Sequence, residues 1–228
     1  GTMAERLGGE FRGLDERLAV IQARIAAVER PFEHDVEVIP VTKGFAGNAI
    51  EAAVDAGCRT VGENYAQDLL SKADLIQRLG VAVQFIGHLQ SNKVRQLVDI
   101  VSLWCTIDRR SILDEVAKRA PGARVLIQVN ATGESQKGGC HPAEVAALVD
   151  QAGAAGLVIE GLMTIGPTGQ PPAAARRPFE IVRALVDEHE LDICSMGMSG
   201  DIEMAVECGS TQVRVGSALF GPRPVSAI

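Results

Sequence analysis

A chain of 228 residues that is 46% hydrophobic can bury one full core, and it sits near the ~250 residues typical of a single α/β barrel. With 29 acidic against 22 basic residues it lacks the positive surplus that grips nucleic acid or an anionic membrane, so a small molecule is the expected partner. The five cysteines, Cys58, Cys105, Cys140, Cys194 and Cys208, are scattered and include no CxxC, which signals neither a disulfide framework nor a metal site and leaves them as small buried residues.

In chain order, Gly1-Thr2-Met3 reads as an expression scar and residues 4–228 as one domain. No signal-peptide core or transmembrane run follows, so a cytoplasmic location is expected. Leu7, Phe11, Leu14, Leu18, Ile21, Ile25 and Val28 recur at spacings that put them on one helical face, which predicts a helix ahead of the main fold. Short apolar runs follow, each trailed by a helical pattern: Val36 to Val41, Thr60 to Val61, Ala82 to Ile86, Ile100 to Trp104, Arg124 to Val129, Val158 to Leu162, Asp192 to Cys194 and Thr211 to Val215. Eight such strands predict a (β/α)8 TIM-type barrel with an additional N-terminal helix. Helix boundaries are expected at Asn48 with Glu51, a capping-box-like start, at Pro142 as a first helical position, and at Gly57, Gly153 and Gly209 as stops. An open doubly wound sheet is the alternative, although no GxGxxG follows the first strand and no Walker loop is present.

Barrels place their chemistry at the C-terminal ends of the strands. Val38-Ile39-Pro40-Val41-Thr42-Lys43 carries an apolar strand into a lysine at such an end. Burial there lowers an amine pKa from ~10.4 and exposes the lone pair that attacks an aldehyde, whereas a lysine outside a site is a solvated charge. After strands seven and eight come Ser195-Met196-Gly197-Met198-Ser199-Gly200-Asp201 and Arg214-Val215-Gly216-Ser217, the loops between which barrels bind phosphate. Their glycines permit close backbone approach, and Ser199 and Ser217 supply hydroxyls. Either loop alone reads as ordinary turn and cap residues; together they suggest a phosphate cup.

From Val36 to Gly221 the sequence resembles the pyridoxal phosphate homeostasis proteins, single-domain relatives of the alanine racemase barrel. The resemblance is carried by Val41-Thr42-Lys43, Gly62-Glu63-Asn64-Tyr65, Phe85-Ile86-Gly87-His88-Leu89-Gln90-Ser91-Asn92-Lys93, Leu162-Met163-Thr164, Ser195-Met196-Gly197-Met198-Ser199 and Arg214-Val215-Gly216. It implies pyridoxal 5′-phosphate held by Lys43 as a Schiff base, phosphate contacts from Ser199, Gly216 and Ser217, and Arg214 facing the pyridine nitrogen. Met198 is a further cofactor-binding candidate, and Asn64, after strand two, would reach the mouth beside Lys43, where its amide could orient the cofactor's ring oxygen or pack on its face. Asp68, where a glutamate is more usual, and Gly44-Phe45 depart from the family pattern. An arginine is donor-only and always charged, so it leaves a ring nitrogen unprotonated and the ring a poorer electron sink.

The resemblance implies a cofactor carrier or buffer, with apo enzymes that use pyridoxal phosphate as candidate recipients. A racemase or lyase using the same lysine and a lysine aldolase with a sugar-phosphate substrate are the competing readings. Thr42, Tyr65, His88 and Met163 are candidate mouth residues, with Gln90 and Lys93 near His88. Tyr65 also reads as a packing residue, Ser91 as a helix cap, and His88 as a proton carrier with a pKa near ~6.5. Lys137, in the polar loop Ala131 to Gly139, reads as a solvated lysine or as a transient contact for the cofactor, and Gly166 to Arg177 as a surface loop.

Overall fold

The computed structural model describes residues 11–31 and 34–224. Leu7 and the Gly1-Thr2-Met3 tripeptide therefore lie outside the described residues. The N-terminal helix, α1, runs Leu14–Ala26 and buries Leu14, Leu18, Ile21 and Ile25. It is shorter than the periodicity suggests, because Gly13 turns the chain into it with φ 85°. Phe11 precedes that turn and packs edge-on against Phe45 and Phe220, at centroid distances of 6.0 and 5.5 Å. Val28 falls beyond the helix and packs partly buried against the core.

Eight parallel strands follow: β1 Glu37–Pro40, β2 Thr60–Glu63, β3 Ala82–Phe85, β4 Leu103–Ile107, β5 Arg124–Gln128, β6 Val158–Met163, β7 Ile193–Ser195 and β8 Gln212–Val215. Each neighbours the next in sequence, and β1 pairs with β8. A bridge between Val41 and Gly62 joins the remaining edge, between β1 and β2. A doubly wound sheet would reverse its strand order at a switch point, so this cyclic order makes the fold a (β/α)8 barrel. Val41, Ile86, Leu103, Cys105, Leu126 and Met163 pack as one buried cluster. Gln84 Nε2, on β3, donates to Gln212 Oε1, on β8, at 3.1 Å.

The helices are α2 Gly47–Asp55, α3 Ala66–Ser71, α4 Ala73–Leu79, α5 Ser91–Leu97, α6 Arg110–Arg119, α7 Val145–Ala154, α8 Arg176–Glu188, α9 Ile202–Glu207 and α10 Ser217–Phe220. None of the described helices is long and apolar enough to cross a membrane.

Several expected boundaries move. Strand β4 starts at Leu103 rather than Ile100, because Ile100 and Val101 donate their N–H groups to Leu97 O and close the end of α5. Helix α2 starts at Gly47 behind Ala46 without a side-chain cap bond, so Asn48 lies inside it. Ser91 is the first residue of α5 behind Gln90 and does not cap it. Gly153 is interior to α7, and Gly156, with φ 80°, takes the left-handed position after it. Pro142 opens a 3-10 turn, Pro142–Glu144, with His141 as its cap. The segment expected as a loop contains another such turn, Pro172–Ala175. Four of the cysteines are buried as expected, while Cys58 is only half-buried. Burial pushes the Cys105 and Cys194 thiols up to about 12, which leaves them unreactive.

Candidate functional site

The C-terminal ends of β1, β2, β7 and β8 surround a cavity of about 480 Å³. Lys43 enters it three residues after β1 and is half-buried. Among the described residues its amine makes no hydrogen bond or ion pair. Burial is the main cause that pushes the Lys43 amine below the ordinary lysine range; nearby Tyr65 opposes the shift, and Arg223 and Arg214 add to it. A lowered pKa means that more of the amine is neutral at a given pH. Capture of a small aldehyde by Lys43 under borohydride should therefore reach half its plateau below the ~10.4 of a free lysine. Mass spectrometry across a pH series checks this, and a midpoint at the free-lysine value would contradict the burial argument.

Arg214, on β8, is buried and lines the same cavity. It donates to Ser195 Oγ at 2.7 Å and to Thr164 O at 2.8 Å. Both hydrogen-bond acceptors are neutral, and burial is the main cause that lowers the guanidinium's pKa, opposed by nearby Cys105, Asp201 and Cys194. Asn64, just past β2, also lines the cavity, and its Oδ1 is buried with no hydrogen-bond partner among the described residues. An orphaned buried acceptor is costly unless a ligand or solvent completes it.

The loop after β7 is built by a tight turn. Met198 N–H donates to Asp201 Oδ1 at 2.7 Å, and Asp201 N–H returns to Met198 O at 3.0 Å. Gly197 precedes it at φ 103°, where a Cβ would lie 2.6 Å from Ala205 Cβ. Ser199 and Gly200 thus occupy the turn's centre, and across the cavity Gly216 leads into Ser217 at the start of α10. The N–H groups of Ser199, Gly200, Gly216 and Ser217 take no partner among the described residues. Together with two hydroxyls they form a donor-rich wall suited to an anion. Among the described residues no Asp, Glu, His, Cys or Tyr lines this cavity.

Lys43, Asn64, Met198, Ser199, Arg214, Gly216 and Ser217 therefore meet at one cavity. The candidate mouth residues do not. Thr42 is fully buried and turns its hydroxyl to Glu63 Oε2, away from the cavity. Met163 is fully buried with Leu103, Cys105 and Leu126, and its neighbour Thr164 supplies the carbonyl that Arg214 meets. Tyr65, His88, Gln90 and Lys93 line an adjoining depression that shares only Asn64 with the main cavity. Tyr65 reaches Arg223, whose Nη1 lies 3.4 Å from its hydroxyl. Lys137 is not a solvated lysine: it pairs with Glu134 at 3.1 Å and donates to Gly166 O, tying together the loops after β5 and β6. Arg223, which the sequence did not flag, joins the cavity wall from beyond α10, a placement that only the closed barrel brings about.

The family model described as alanine racemase, N-terminal domain, matches residues 17–224. A pyridoxal phosphate homeostasis protein of Bos taurus is 35% identical, over 99% of this chain and 91% of its own length. One of Escherichia coli (strain K12) is 37% identical, over 84% and 88%. The chain belongs to the pyridoxal phosphate homeostasis protein family. Among solved structures, PipY of Synechococcus elongatus PCC7942 without PLP aligns at TM-score 0.81 and 30% identity, covering 91% of this chain and all of that one. PipY with PLP bound aligns at 0.78 and 29%, with the same coverage. Alanine racemase from Corynebacterium glutamicum aligns at 0.71 over 96% of this chain but 62% of its own, and at 16% identity it shows the shared barrel only. Homeostasis-family membership and the barrel thus agree, and the cavity lies at the C-terminal ends of the strands, where such barrels carry their sites.

Proposed function

We propose that this protein binds pyridoxal 5′-phosphate at the barrel mouth, holds it on Lys43 as a Schiff base, and serves in cytoplasmic homeostasis of the cofactor as a carrier or buffer. The observation that carries the reading is the half-buried Lys43 amine, unpaired among the described residues, sharing one cavity with Arg214 and the Ser199 and Ser217 loops, with no carboxylate among the described lining residues. The donor set fits the group. N–H groups and hydroxyls without partners among the described residues suit its phosphate, and the buried Asn64 oxygen, unpartnered among those residues, supports a contact from that amide to the ring's polar substituents.

When bound, pyridoxal phosphate supplies an aldehyde that condenses with an amine with loss of water, and a ring that withdraws electrons from an attached amino acid. Lys43 offers that amine, and burial lowers its pKa, which raises the neutral fraction that can attack. Arg214, fixed by Ser195 and Thr164, can only donate, so facing the ring nitrogen it would leave that nitrogen unprotonated and weaken electron withdrawal. Ser199 and Ser217 hold the phosphate end. The chain's residues thus favour holding the cofactor over driving carbanion chemistry, and apo enzymes that use it are the natural recipients.

Racemisation needs a proton-transfer group on each face of the substrate carbon. Among the described residues that line the cavity, Lys43 alone can play that part; the others with charge are arginines. Purified protein is therefore expected to show negligible racemase or decarboxylase turnover on common amino acids, followed by chiral chromatography, while still carrying the cofactor. Robust turnover that is lost in Lys43→Ala and reduced in His88→Ala would favour the enzyme reading, with His88 reaching in from the adjoining depression.

A further inference from the structure

Beside the cavity, outside its wall, lies a buried ionic cluster. Lys72, the hinge residue between α3 and α4, donates from Nζ to Glu63 Oε1 and Oε2 at 3.1 Å each, to Thr42 O at 3.1 Å and to Asp68 Oδ2 at 3.2 Å. The Lys72 side chain is 4% exposed and that of Glu63 is fully buried. Glu63 Oε2 also accepts from the Thr42 hydroxyl, and Asp68 Oδ2 accepts from Gly44 N–H at 3.1 Å. A buried ion pair is poor value as a source of stability, because desolvation consumes most of the Coulomb gain and an apolar replacement often holds a fold as well.

The destinations of these bonds are informative. The contacts that the cluster makes to the end of β1 fall on Thr42 and Gly44, the two residues flanking Lys43. Lys43 itself makes no hydrogen bond among the described residues, so its backbone alone aims the amine. Gly44 sits at φ 75°, where the chain bends just past the lysine, and the Asp68 carboxylate holds that bend. Burial, with Tyr65, Arg223 and Arg214, sets the direction of the Lys43 shift, whereas the cluster's hydrogen bonds fall on the residues either side of it. The cluster therefore acts through geometry.

We propose that Lys72, with Glu63 and Asp68, is a positioning residue that clamps both flanks of Lys43 and holds its amine in the cavity. The inference rests on Lys43 being the lysine that holds pyridoxal phosphate, and it adds the device that aims it. Asp68 is thus more than a departure from the family pattern: its shorter side chain reaches Gly44 N–H and Lys72 together.

Lys72→Met and Asp68→Ala test the clamp through two readouts. In protein free of pyridoxal phosphate, Gly44 amide exchange is expected to quicken at least about tenfold while amides of β5 and β6 keep wild-type rates. In loaded protein, the share of bound pyridoxal phosphate that borohydride fixes to Lys43 is expected to fall, while total bound cofactor falls less. A purely structural role would lower both amounts together and leave their ratio unchanged. Unchanged Gly44 exchange, or an unchanged ratio, overturns the proposal. If Lys72→Met does not fold, Asp68→Ala, at a side chain 26% exposed, carries both readouts and decides. Wild-type protein with no adduct on Lys43 would sink the cofactor reading instead, and the exchange measurement would still judge the clamp.

Discussion

Lys43→Ala is expected to give a folded protein that no longer shows the visible absorbance of a lysine-bound pyridoxal phosphate. The side chain is half-buried and makes no hydrogen bond or ion pair among the described residues, so its removal breaks no structural contact. The cost in stability should stay within about 1 kcal/mol, as for substitutions that neither open a core cavity nor orphan a partner. The chemical cost is total, because among the described residues no other amine lines the cavity, whose remaining cations are the Arg214 and Arg223 guanidiniums. The other lysines near the strand ends are committed or displaced. Lys72 is enclosed by two carboxylates, Lys137 is tied to Glu134 and Gly166, and Lys93 lies in the adjoining depression. Borohydride reduction of the wild type followed by mass spectrometry should place the adduct on Lys43. A major adduct on Lys93 or Lys137, or a visible band that survives Lys43→Ala, would mean that the cofactor reading has the wrong residue.

Much of this site was legible because barrel chemistry follows a positional rule. An apolar run ending in Lys43, and two glycine-serine loops after the last strands, identify strand ends without any knowledge of contacts, and the cavity joins those very segments. What escaped the sequence depends on where a side chain turns once the strand ends. Thr42 precedes the lysine and reads as a mouth residue, yet alternation sends it to the opposite side, onto Glu63. Met163 fails in the same way, since its apolar side chain fills the buried interior while the next carbonyl meets Arg214. Neither Lys72 nor Glu63 carries a local signal of burial, although Glu63 belongs to a block that carries the family resemblance. A lysine at a helix junction and a glutamate at a strand end look solvated until the fold buries both together. Strand β4 was displaced for a further reason: Ile100 and Val101 have the β-branched character of a strand, but their N–H groups finish the preceding helix.

Ser199→Asp combined with Ser217→Asp is expected to weaken pyridoxal phosphate binding by at least tenfold, about 1.4 kcal/mol, while binding of unphosphorylated pyridoxal changes far less. A phosphate monoester brings ~1.5–2 negative charges at neutral pH, and its oxygens accept hydrogen bonds but donate none when ionised. The wall formed by the two loops is donor-rich, with the free N–H groups of Ser199, Gly200, Gly216 and Ser217 and no carboxylate among the described lining residues. Each aspartate replaces a hydroxyl donor with an acceptor-only carboxylate, so lost hydrogen bonds and like-charge repulsion act in the same direction. Neither serine is in the core: Ser199 is half-buried and Ser217 is exposed, so the double variant should fold. Pyridoxal is the internal control, since it keeps the aldehyde and ring that Lys43, Asn64 and Arg214 would meet. Titration of both ligands by absorbance separates the outcomes. A selective loss for the phosphorylated ligand places the anion between the loops after β7 and β8, whereas equal losses would mean that these substitutions damage the cavity as a whole and that the phosphate is held elsewhere.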